Sequence, residues 1–347
     1  MGQAGRNHHV PVIERHPDLE LVAVCDQNQD RVTETTADRN VRGYTDTERL
    51  LEATALDTVH VATPPGTHRP IAERTLEEGV ATLIEKPLAT TLENADAMIR
   101  AARESDTPAC VVHNQQFFTA VQRTLRAVES GRFGEVVSVT MIHGDSHDLS
   151  EADRGEWVFD LPGGELGEGL PHQIYLPLAF VGALGEIVDV TRYESGAGSP
   201  YGYDQVVVEL VDDRLRVPID VKIMKNTARE NLLLVHCEEA SFRIDLTTRS
   251  VFSNRMSAVT IGQLAAWNLR WLWEFVKNGV VNAVETGGRL ADRARGEGIN
   301  EYAAGHYALV DEFVDAVRSG GAVPVPLEDG RETIRVLRSL DPESVAQ

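Results

Sequence analysis

The sequence predicts an α/β protein of two domains, the first built on a parallel sheet and the second on a large, mostly antiparallel open sheet. The chain has 347 residues, and single hydrophobic cores stop growing near roughly 250 to 300 residues. Between residues 19 and 113 short apolar runs alternate with amphipathic stretches, which is typical of strands and helices around a parallel sheet. After residue 118 longer segments with a period of two predict antiparallel strands.

The first domain is predicted over residues 1–117. Its strands are expected at 19–25, 58–62, 82–84 and 109–112, with helices at 29–37, 45–52, 67–78 and 92–104. In the third of these helices Ile71, Ala72 and Leu76 recur on one face, which indicates that this face packs on the sheet. Such an alternation resembles a Rossmann domain.

The second domain is predicted over residues 118–347. Strands are expected at 135–143, 187–193, 205–210, 215–223, 232–237 and 241–246, and helices at 121–130, 166–181, 264–277 and 302–319. An open sheet of this kind offers one face to another subunit. We therefore expect that this face can serve for oligomerisation.

The formal net charge of −21 excludes the usual nucleic-acid and anionic-membrane partners, because a phosphate surface would repel this chain. Acidic residues number 54, and lysine occurs only four times. This balance favours a halophilic-type acidic protein, whose carboxylates work under strong salt screening, over an ordinary acidic protein.

The cysteines and the apolar runs predict a cytoplasmic protein with reduced thiols. Cys25, Cys110 and Cys237 are odd in number and widely spaced, so they indicate neither a disulfide framework nor a metal site. No apolar run reaches the roughly 18 residues of a membrane span, and the N-terminus lacks the apolar core of a signal peptide.

Two features at the N-terminal end point to a dinucleotide. Gly2 and Gly5, followed by Arg6 and a helical pattern, resemble the last two glycines of a G-x-G-x-x-G turn, which brings backbone close to a pyrophosphate. Asp26 follows the next strand, where a carboxylate accepts hydrogen bonds from ribose hydroxyls and repels a 2′-phosphate. The pair therefore favours NAD over NADP, although Asp26 as an ordinary turn residue stays open.

A first apolar strand before the glycine turn is expected in a Rossmann domain, and this sequence begins at the turn itself. We therefore expect a truncation before the first strand, either because the true start lies upstream or because the protein is a damaged variant.

Two further segments follow predicted strands and so border the crevice where open α/β sheets bind ligands. In the first, Thr63 and Pro64 lead to a helix start at Thr67 and His68, and Thr67 as a helix cap and His68 as a surface residue are the structural alternatives. The second is the segment Glu85-Lys86-Pro87. Its proline keeps Lys86 extended, and a cis bond or a plain turn stays open.

These segments together resemble the family of glucose-fructose oxidoreductase, inositol dehydrogenase and MocA. The glycine turn with its Arg-Asn-His-His, the strand ending at Asp26, the 62–68 segment, Glu85-Lys86-Pro87 and His113-Asn114 follow the order of that family. The resemblance implies a bound NAD or NADP, carbohydrate or polyol substrates, and a homo-oligomer, either a dimer or a tetramer. The residues expected to contact the cofactor are Gly2, Gly5, Arg6, Asp26, Thr63, Pro64, His68, Glu85, Lys86 and Asn114.

The resemblance also gives a role to a helical pair, Glu168 and His172. Residues four apart share a helix face, and a carboxylate beside an imidazole is a plausible acid/base pair, although a surface pair is the simpler explanation. In the family the corresponding pair is commonly Asp and His, opposite the lysine of Glu-Lys-Pro. Glu168 departs from that pattern, and Tyr175 stands where many members carry another Asp.

The expected function is hydride transfer between a nicotinamide cofactor and a secondary alcohol of a sugar, polyol or derivative. His172 is expected to act as base, Lys86 to polarise the same oxygen and Glu168 to orient His172. Two alternatives remain open: a tightly bound cofactor recycled in an oxidoreductase or glycoside-cleaving reaction, and a non-catalytic, cofactor-sensing relative.

Overall fold

The chain forms two compact units. The computed structural model describes residues 2–145, 161, 169–194, 203–212, 214, 216–225, 227–255, 260–294 and 301–341. One unit comprises Met1–Phe117 with Gly296–Arg335, and the other comprises Phe118–Arg295 with Val336–Gln347. The sequence analysis had placed all of 118–347 in one domain, so the late segment 296–335 differs from that expectation.

The first unit contains the predicted alternation of strands and helices. Its strands are β1 (Ala23–Cys25), β2 (Arg42–Tyr44), β3 (Thr58–Val61), β4 (Ala81–Ile84) and β5 (Ala109–Val111). The helices between and before them are α1 (Val10–Arg15), α2 (Gln29–Thr36), α3 (Thr47–Ala53), α4 (His68–Glu77) and α5 (Leu92–Ser105). Side chains of Asn28, Asp46 and Thr91 accept hydrogen bonds at the first turns of α2, α3 and α5, which fixes where these helices begin.

All strand pairs of this unit are parallel, as the sequence predicts. Strand β1 pairs with β2, and a separate sheet has the order β3-β4-β5. The Rossmann order places a first strand between these two sheets. Among the described residues no strand occupies that place, and the upstream start stays a prediction.

The second unit is built on a seven-stranded sheet. Its strands are β6 (Val136–Asp145), β7 (Glu186–Tyr193), β8 (Gln205–Val211), β9 (Pro218–Lys225), β10 (Glu230–Cys237), β11 (Ser241–Asp245) and β12 (Ser250–Asn254). They lie in the order β12-β11-β10-β6-β9-β8-β7, and every neighbouring pair is antiparallel except β6 with β9. The predicted open, mostly antiparallel sheet is therefore confirmed.

One face of this sheet is apolar and buried. Strands β8 and β9 pair Val206 with Ile223 and Val208 with Val221, and all four side chains are buried. Helix α6 (Thr119–Glu129) contacts β11 and β12, and helix α7 (Pro171–Val181) contacts β6, β9 and β10. The period of two along each strand thus separates the covered face from the other one.

Helix α8 (Ile261–Ala294) extends well beyond the predicted 264–277. Trp271 stacks on Phe252 of β12 with ring centroids 4.7 Å apart, whereas Trp273 is 67% exposed. None of the described helices combines the length and the apolarity that crossing a membrane requires.

The late segment completes the core of the first unit. It contains helix α9 (Glu301–Ser319) and helix α10 (Leu327–Arg338). Leu309 and Phe313 of α9 are fully buried in the same cluster as Leu83 and Ile84 of β4. A sequence period identifies the apolar face of a helix but not the sheet that it covers. The helix expected at 302–319 was therefore placed in the second domain, whereas α9 belongs to the first unit.

Candidate functional site

The glycine turn opens the first helix of the first unit. The backbone N–H of Arg6 donates to the carbonyl of Gly2 at 3.1 Å, and a π-helical turn covers Gly5–His9. Apart from its chain neighbours, no described residue places a heavy atom within 4 Å of the position that a Cβ at Gly2 would take, so a ligand can approach the backbone there. The guanidinium of Arg6 pairs with Glu34 at 2.8 Å.

Asp26 directly follows β1 and is held by its own turn. Its Oδ1 accepts from the backbone N–H of Asn28 at 2.8 Å, and Nη1 of Arg31 lies 3.8 Å from its Oδ2. The side chain of Asp26 is 15% exposed and that of Arg31 is 51% exposed. The carboxylate of Asp26 thus lies at the end of β1, as expected from the sequence. The long, half-exposed side chain of Arg31 lies beside it.

The segment after β3 is organised by His68. This side chain is fully buried, with Nε2 2.8 Å from the carbonyl oxygen of Thr63 and Nδ1 3.0 Å from that of Leu88. Burial lowers the pKa of His68, and the two carbonyls oppose that shift. The alternative of a surface histidine is therefore wrong, and the residue positions the loop that contains Thr63 and Pro64.

Thr67 does not cap α4 through its side chain. Its hydroxyl donates to the carbonyl of Pro64 at 2.8 Å and lies 2.8 Å from Oγ1 of Thr63. The cap expected as a structural alternative is replaced by a local turn that fixes the residues after β3.

Glu85 is the centre of a buried polar cluster at the carboxyl end of β4. Its Oε2 accepts from the backbone N–H of Lys86 at 3.0 Å. Its Oε1 lies 3.0 Å from Nε2 of His9 and 3.1 Å from Nε2 of His306. These histidines hold the pKa of Glu85 well below its usual value against the opposing effect of burial, so this carboxyl group is ionised.

Lys86 follows this carboxylate, is half-buried, and precedes Pro87 through a cis peptide bond. Asn114 lies in the turn after β5, and its amide nitrogen is 3.4 Å from Nδ1 of His306. Since β3, β4 and β5 are parallel, the residues that follow them leave the same edge of the sheet. The fold thus groups the 63–64 turn, Lys86 and Asn114, as the sequence analysis expected.

In the second unit, His172 lies in the first turn of α7, one turn before Tyr175. Its Nδ1 is hydrogen-bonded to the hydroxyl of Tyr175, which is fully buried. The predicted partner Glu168 lies outside the described residues. Tyr175 was noted in the sequence only as a departure from a family pattern, so its hydrogen bond to His172 is new.

The sequence analysis missed four histidines around Glu85. His9 and His306 contact the carboxylate, Nδ1 of His60 lies 3.0 Å from Nδ1 of His9, and the ring of His8 stacks on that of His306 at 4.8 Å. Apart from the adjacent His8 and His9, their positions in the sequence are far apart, and no spacing rule connects them. The sequence offered one signal for this cluster. It is the adjacent pair His8-His9 in the glycine turn together with His60 near the end of a predicted strand.

Comparison with known proteins agrees with this arrangement. Residues 1–113 match the model of the Gfo/Idh/MocA proteins, described as an oxidoreductase family with an NAD-binding Rossmann fold. D-apiose dehydrogenase of Paraburkholderia graminis is 34% identical over 116 residues, which are 33% of this chain and 31% of that protein.

Two further curated relatives match over similar lengths. UDP-N-acetylglucosamine 3-dehydrogenase of Acidithiobacillus ferrooxidans is 34% identical over 103 residues, 30% of this chain and 32% of that protein. D-xylose 1-dehydrogenase [NADP(+)] of Haloarcula marismortui is 30% identical over 118 residues, 33% of this chain and 31% of that protein. The chain thus matches about a third of the length of these relatives.

Solved structures resemble the whole chain in fold. The WlbA dehydrogenase of Bordetella pertussis, in complex with NADH and UDP-GlcNAcA, has a TM-score of 0.75 at 20% identity and covers 99% of this chain and 93% of its own. Levoglucosan dehydrogenase, in complex with NADH and levoglucosan, has a TM-score of 0.75 at 18% identity and covers 99% and 95%. Both units therefore have the fold of these dehydrogenases.

Proposed function

From the match of residues 1–113 to the Gfo/Idh/MocA oxidoreductases, we propose that the chain is an NAD-dependent dehydrogenase acting on a secondary alcohol of a sugar, polyol or derivative. The observation that carries the proposal is Lys86 at the carboxyl end of β4, with its backbone held by the ionised Glu85. The named relatives act on apiose, xylose and a nucleotide sugar, which supports the substrate class.

The residues of the first unit fit a dinucleotide. The open backbone at Gly2 leaves room for a pyrophosphate, and the N–H groups of the following turn are suited to an anion. Asp26 supplies acceptors for ribose hydroxyls and a charge that repels a 2′-phosphate, so we propose NAD as the preferred cofactor. Arg31, 3.8 Å from Asp26, weakens that repulsion.

Each functional side chain has a separate task in the proposed reaction. The cofactor, when bound, accepts or returns the hydride. Lys86 carries a positive charge that polarises the substrate oxygen and stabilises negative charge developing there. His172 exchanges the hydroxyl proton as general base or acid.

The partner of His172 decides which nitrogen can take that proton. A histidine that acts as base must have an unprotonated nitrogen directed at the substrate. If the Nδ1–H of His172 donates to the oxygen of Tyr175, Nε2 is the basic nitrogen. Tyr175 is therefore proposed as a positioning residue, and Glu168 is retained from the sequence as a second one.

The proposal is tested by adding NAD or NADP to the full chain in a calorimeter and by screening polyols, aldoses and sugar acids for cofactor reduction at low and multimolar salt. We expect NAD binding and reduction with at least one of these alcohols. Lys86→Met should lower turnover by at least about a hundredfold, because a preorganised charge at a developing oxyanion is worth about that much.

Lys222→Met is the matched control, since Lys222 is an exposed lysine on β9 of the second unit. Full activity in Lys86→Met, or equal losses in both variants, would exclude the proposed role. Binding of neither cofactor would favour a chain without dehydrogenase activity.

A further inference from the structure

Three buried side chains of the first unit direct ligand atoms at one point. They are Nε2 of His9, an oxygen of Glu85 and Nε2 of His306, and all three atoms lie within 4.8 Å of one another. The three residues are only 3%, 6% and 5% exposed. They come from the turn before α1, the end of β4 and helix α9, three segments distant in the sequence.

The separations agree with the coordination shell of a small dication. The two imidazole nitrogens lie 3.0 and 3.1 Å from the same oxygen of Glu85. Ligand atoms about 2.0 to 2.1 Å from a tetrahedral Zn²⁺ are about 3.3 Å apart. Widening these two contacts by a few tenths of an ångström, and bringing the two imidazole nitrogens, which lie within 4.8 Å of each other, closer together makes room for the ion between the carboxylate and the rings.

The chemistry of the three donors also agrees. Two imidazoles and one carboxylate form a ligand set used for zinc, and Glu85 is ionised, as coordination requires. A metal-free cluster must instead direct two N–H groups at a single carboxylate oxygen. The net charge of −21 favours the approach of a cation over that of an anion.

A second layer of side chains holds the two rings in the required orientation. Nδ1 of His9 lies 3.0 Å from Nδ1 of His60, and Nδ1 of His306 lies 3.4 Å from the amide nitrogen of Asn114. Metal-binding histidines almost always donate their second N–H to a partner, which fixes the tautomer. If the Nδ1–H of His9 donates to His60, Nε2 of His9 is the nitrogen that binds metal. Nδ1 of His306 accepts from the NH₂ group of Asn114 in the metal-free chain, and a half-turn of that amide presents its oxygen to a protonated Nδ1 and frees Nε2 for the metal.

From this convergence we propose that His9, Glu85 and His306 form a binding site for one Zn²⁺ or a similar divalent transition-metal ion. The ion joins the start of the unit, its β4 strand and its late helix α9. It takes no part in the proposed hydride transfer, so the two proposals stand or fall separately. A solvent molecule completes the four-coordinate shell.

The test uses the full chain after dialysis against a chelator. We expect one equivalent of Zn²⁺ to bind with micromolar or tighter affinity, and Co²⁺ in its place to give the visible bands of a four-coordinate site. Glu85→Gln and His306→Gln should each weaken Zn²⁺ binding by at least about a hundredfold. These variants remove a direct ligand, and losing even an outer partner costs about ten- to a hundredfold.

His16→Gln is the matched control, because His16 is a buried histidine of the same unit whose Nε2 lies 3.1 Å from Asp311 of α9. It should bind Zn²⁺ as the parent does. His306→Cys gives a readout that does not depend on lost binding, since a thiolate ligand adds a near-ultraviolet charge-transfer band to the Co²⁺ spectrum.

No stoichiometric binding of Zn²⁺ or Co²⁺ by the parent chain would overturn the proposal, and so would equal affinities in His306→Gln and His16→Gln. Titration with NAD in the presence of the chelator separates the two proposals. A chain that binds NAD but no metal refutes the metal site alone, and a chain that binds metal but no NAD refutes the dehydrogenase proposal alone.

Discussion

The surroundings of Glu85 in the first unit and of His172 in the second differ in how many side chains fix the functional residue. Glu85 is buried and its two oxygens are contacted by His9, His306 and the backbone of Lys86. His172 is half-buried, and Tyr175 is the side chain bonded to its Nδ1. We therefore propose that the first arrangement contributes to folding as well as to chemistry, whereas the second serves mainly to transfer a proton.

This difference predicts that changes around Glu85 lower stability and activity together, while changes at His172 lower turnover with the fold intact. The following experiments test that contrast.

Acid should have the largest effect, and it should act first on the first unit. Burial lowers the pKa of His113 from 6.5 to about 3 and also lowers that of His68. The unfolded chain takes up a proton at each histidine as the pH falls below 6.5, whereas the folded unit takes them up only at lower pH. For His113 stability is therefore lost as the pH falls from 6.5 towards 3, by up to about 1.4 kcal/mol per pH unit, and His68 adds a loss in the same direction.

Asp329 acts in the opposite direction. Burial and the neighbouring Glu328 and Glu332 raise its pKa to about 6, so the folded state binds this proton first and gains stability as the pH falls from 6 to 3.8. Between pH 6 and 3.8 this gain offsets the loss at His113, and the lowered pKa of His68 leaves a net loss of stability towards acid.

The acid sensitivity of each unit is measured by hydrogen exchange followed by peptide mass spectrometry. Tryptophan fluorescence would report only on the second unit, because all four tryptophans belong to it. His113→Gln should reduce the pH dependence of the free energy of unfolding by about the contribution of this one histidine. Equal acid sensitivity of peptides from both units would contradict the contrast.

The next effect is on stability at neutral pH. Glu85→Ala leaves two buried imidazoles without their carboxylate, and removing one partner of a buried charged pair costs about 3 to 5 kcal/mol. Glu332→Ala is the control, because its pairs with Arg331 and Arg335 are partly exposed and such pairs contribute about 0 to 1 kcal/mol. Urea unfolding measures the free energy of unfolding of both variants. Similar losses in both would show that the pairs of Glu85 contribute no more to stability than partly exposed pairs do.

His172→Ala should lower turnover by at least about a hundredfold, the usual contribution of a general acid or base, with little change in the urea midpoint. His236→Ala provides the comparison, since His236 lies on β10 and its Nδ1 is bonded to Ser241. A His172→Ala protein that unfolds as readily as Glu85→Ala would remove the distinction between the two regions.

The smallest effect concerns cofactor choice. Asp26→Asn removes the charge that faces a 2′-phosphate, and the ratio of NADP to NAD affinity should rise by roughly tenfold, since like-charge repulsion is worth at least about 1.4 kcal/mol. Asp30→Asn, at an exposed acid of α2, should leave the ratio unchanged. An unchanged ratio in Asp26→Asn would show that this carboxylate does not select the cofactor.

The sequence predicted the fold well where periodicity carries the information. Strands β3, β4 and β5 and helices α2 to α5 lie within a few residues of their expected bounds, and the open antiparallel sheet is confirmed. Strand β2 was missed because its three residues, Arg42–Tyr44, are mostly exposed and show no apolar run. Helix α10 was missed because its first turn is polar and interrupts the apolar periodicity that indicates a helix.

The candidate site was predictable only where residues follow a strand. Thr63, Lys86 and Asn114 were assigned to one edge because parallel strands end together. The contact of His306 with Glu85 joins residues 221 apart in the chain, and it depends on how α9 packs. A single sequence contains no record of such packing, so neither the histidine cluster nor the partner of His172 was expected.

The discontinuity of the first unit has a consequence for synthesis of the chain. Leu309, Phe313 and Val325 belong to the same core as Val61 and Leu83, and roughly 180 residues of the second unit separate the two parts. At about 5 to 20 residues per second, a ribosome needs about 10 to 40 seconds to bridge that interval. During this time the nascent N-terminal part remains with an unfinished core. The second unit is in turn completed only by residues 336–347, so neither unit can finish folding before nearly the whole chain has been made.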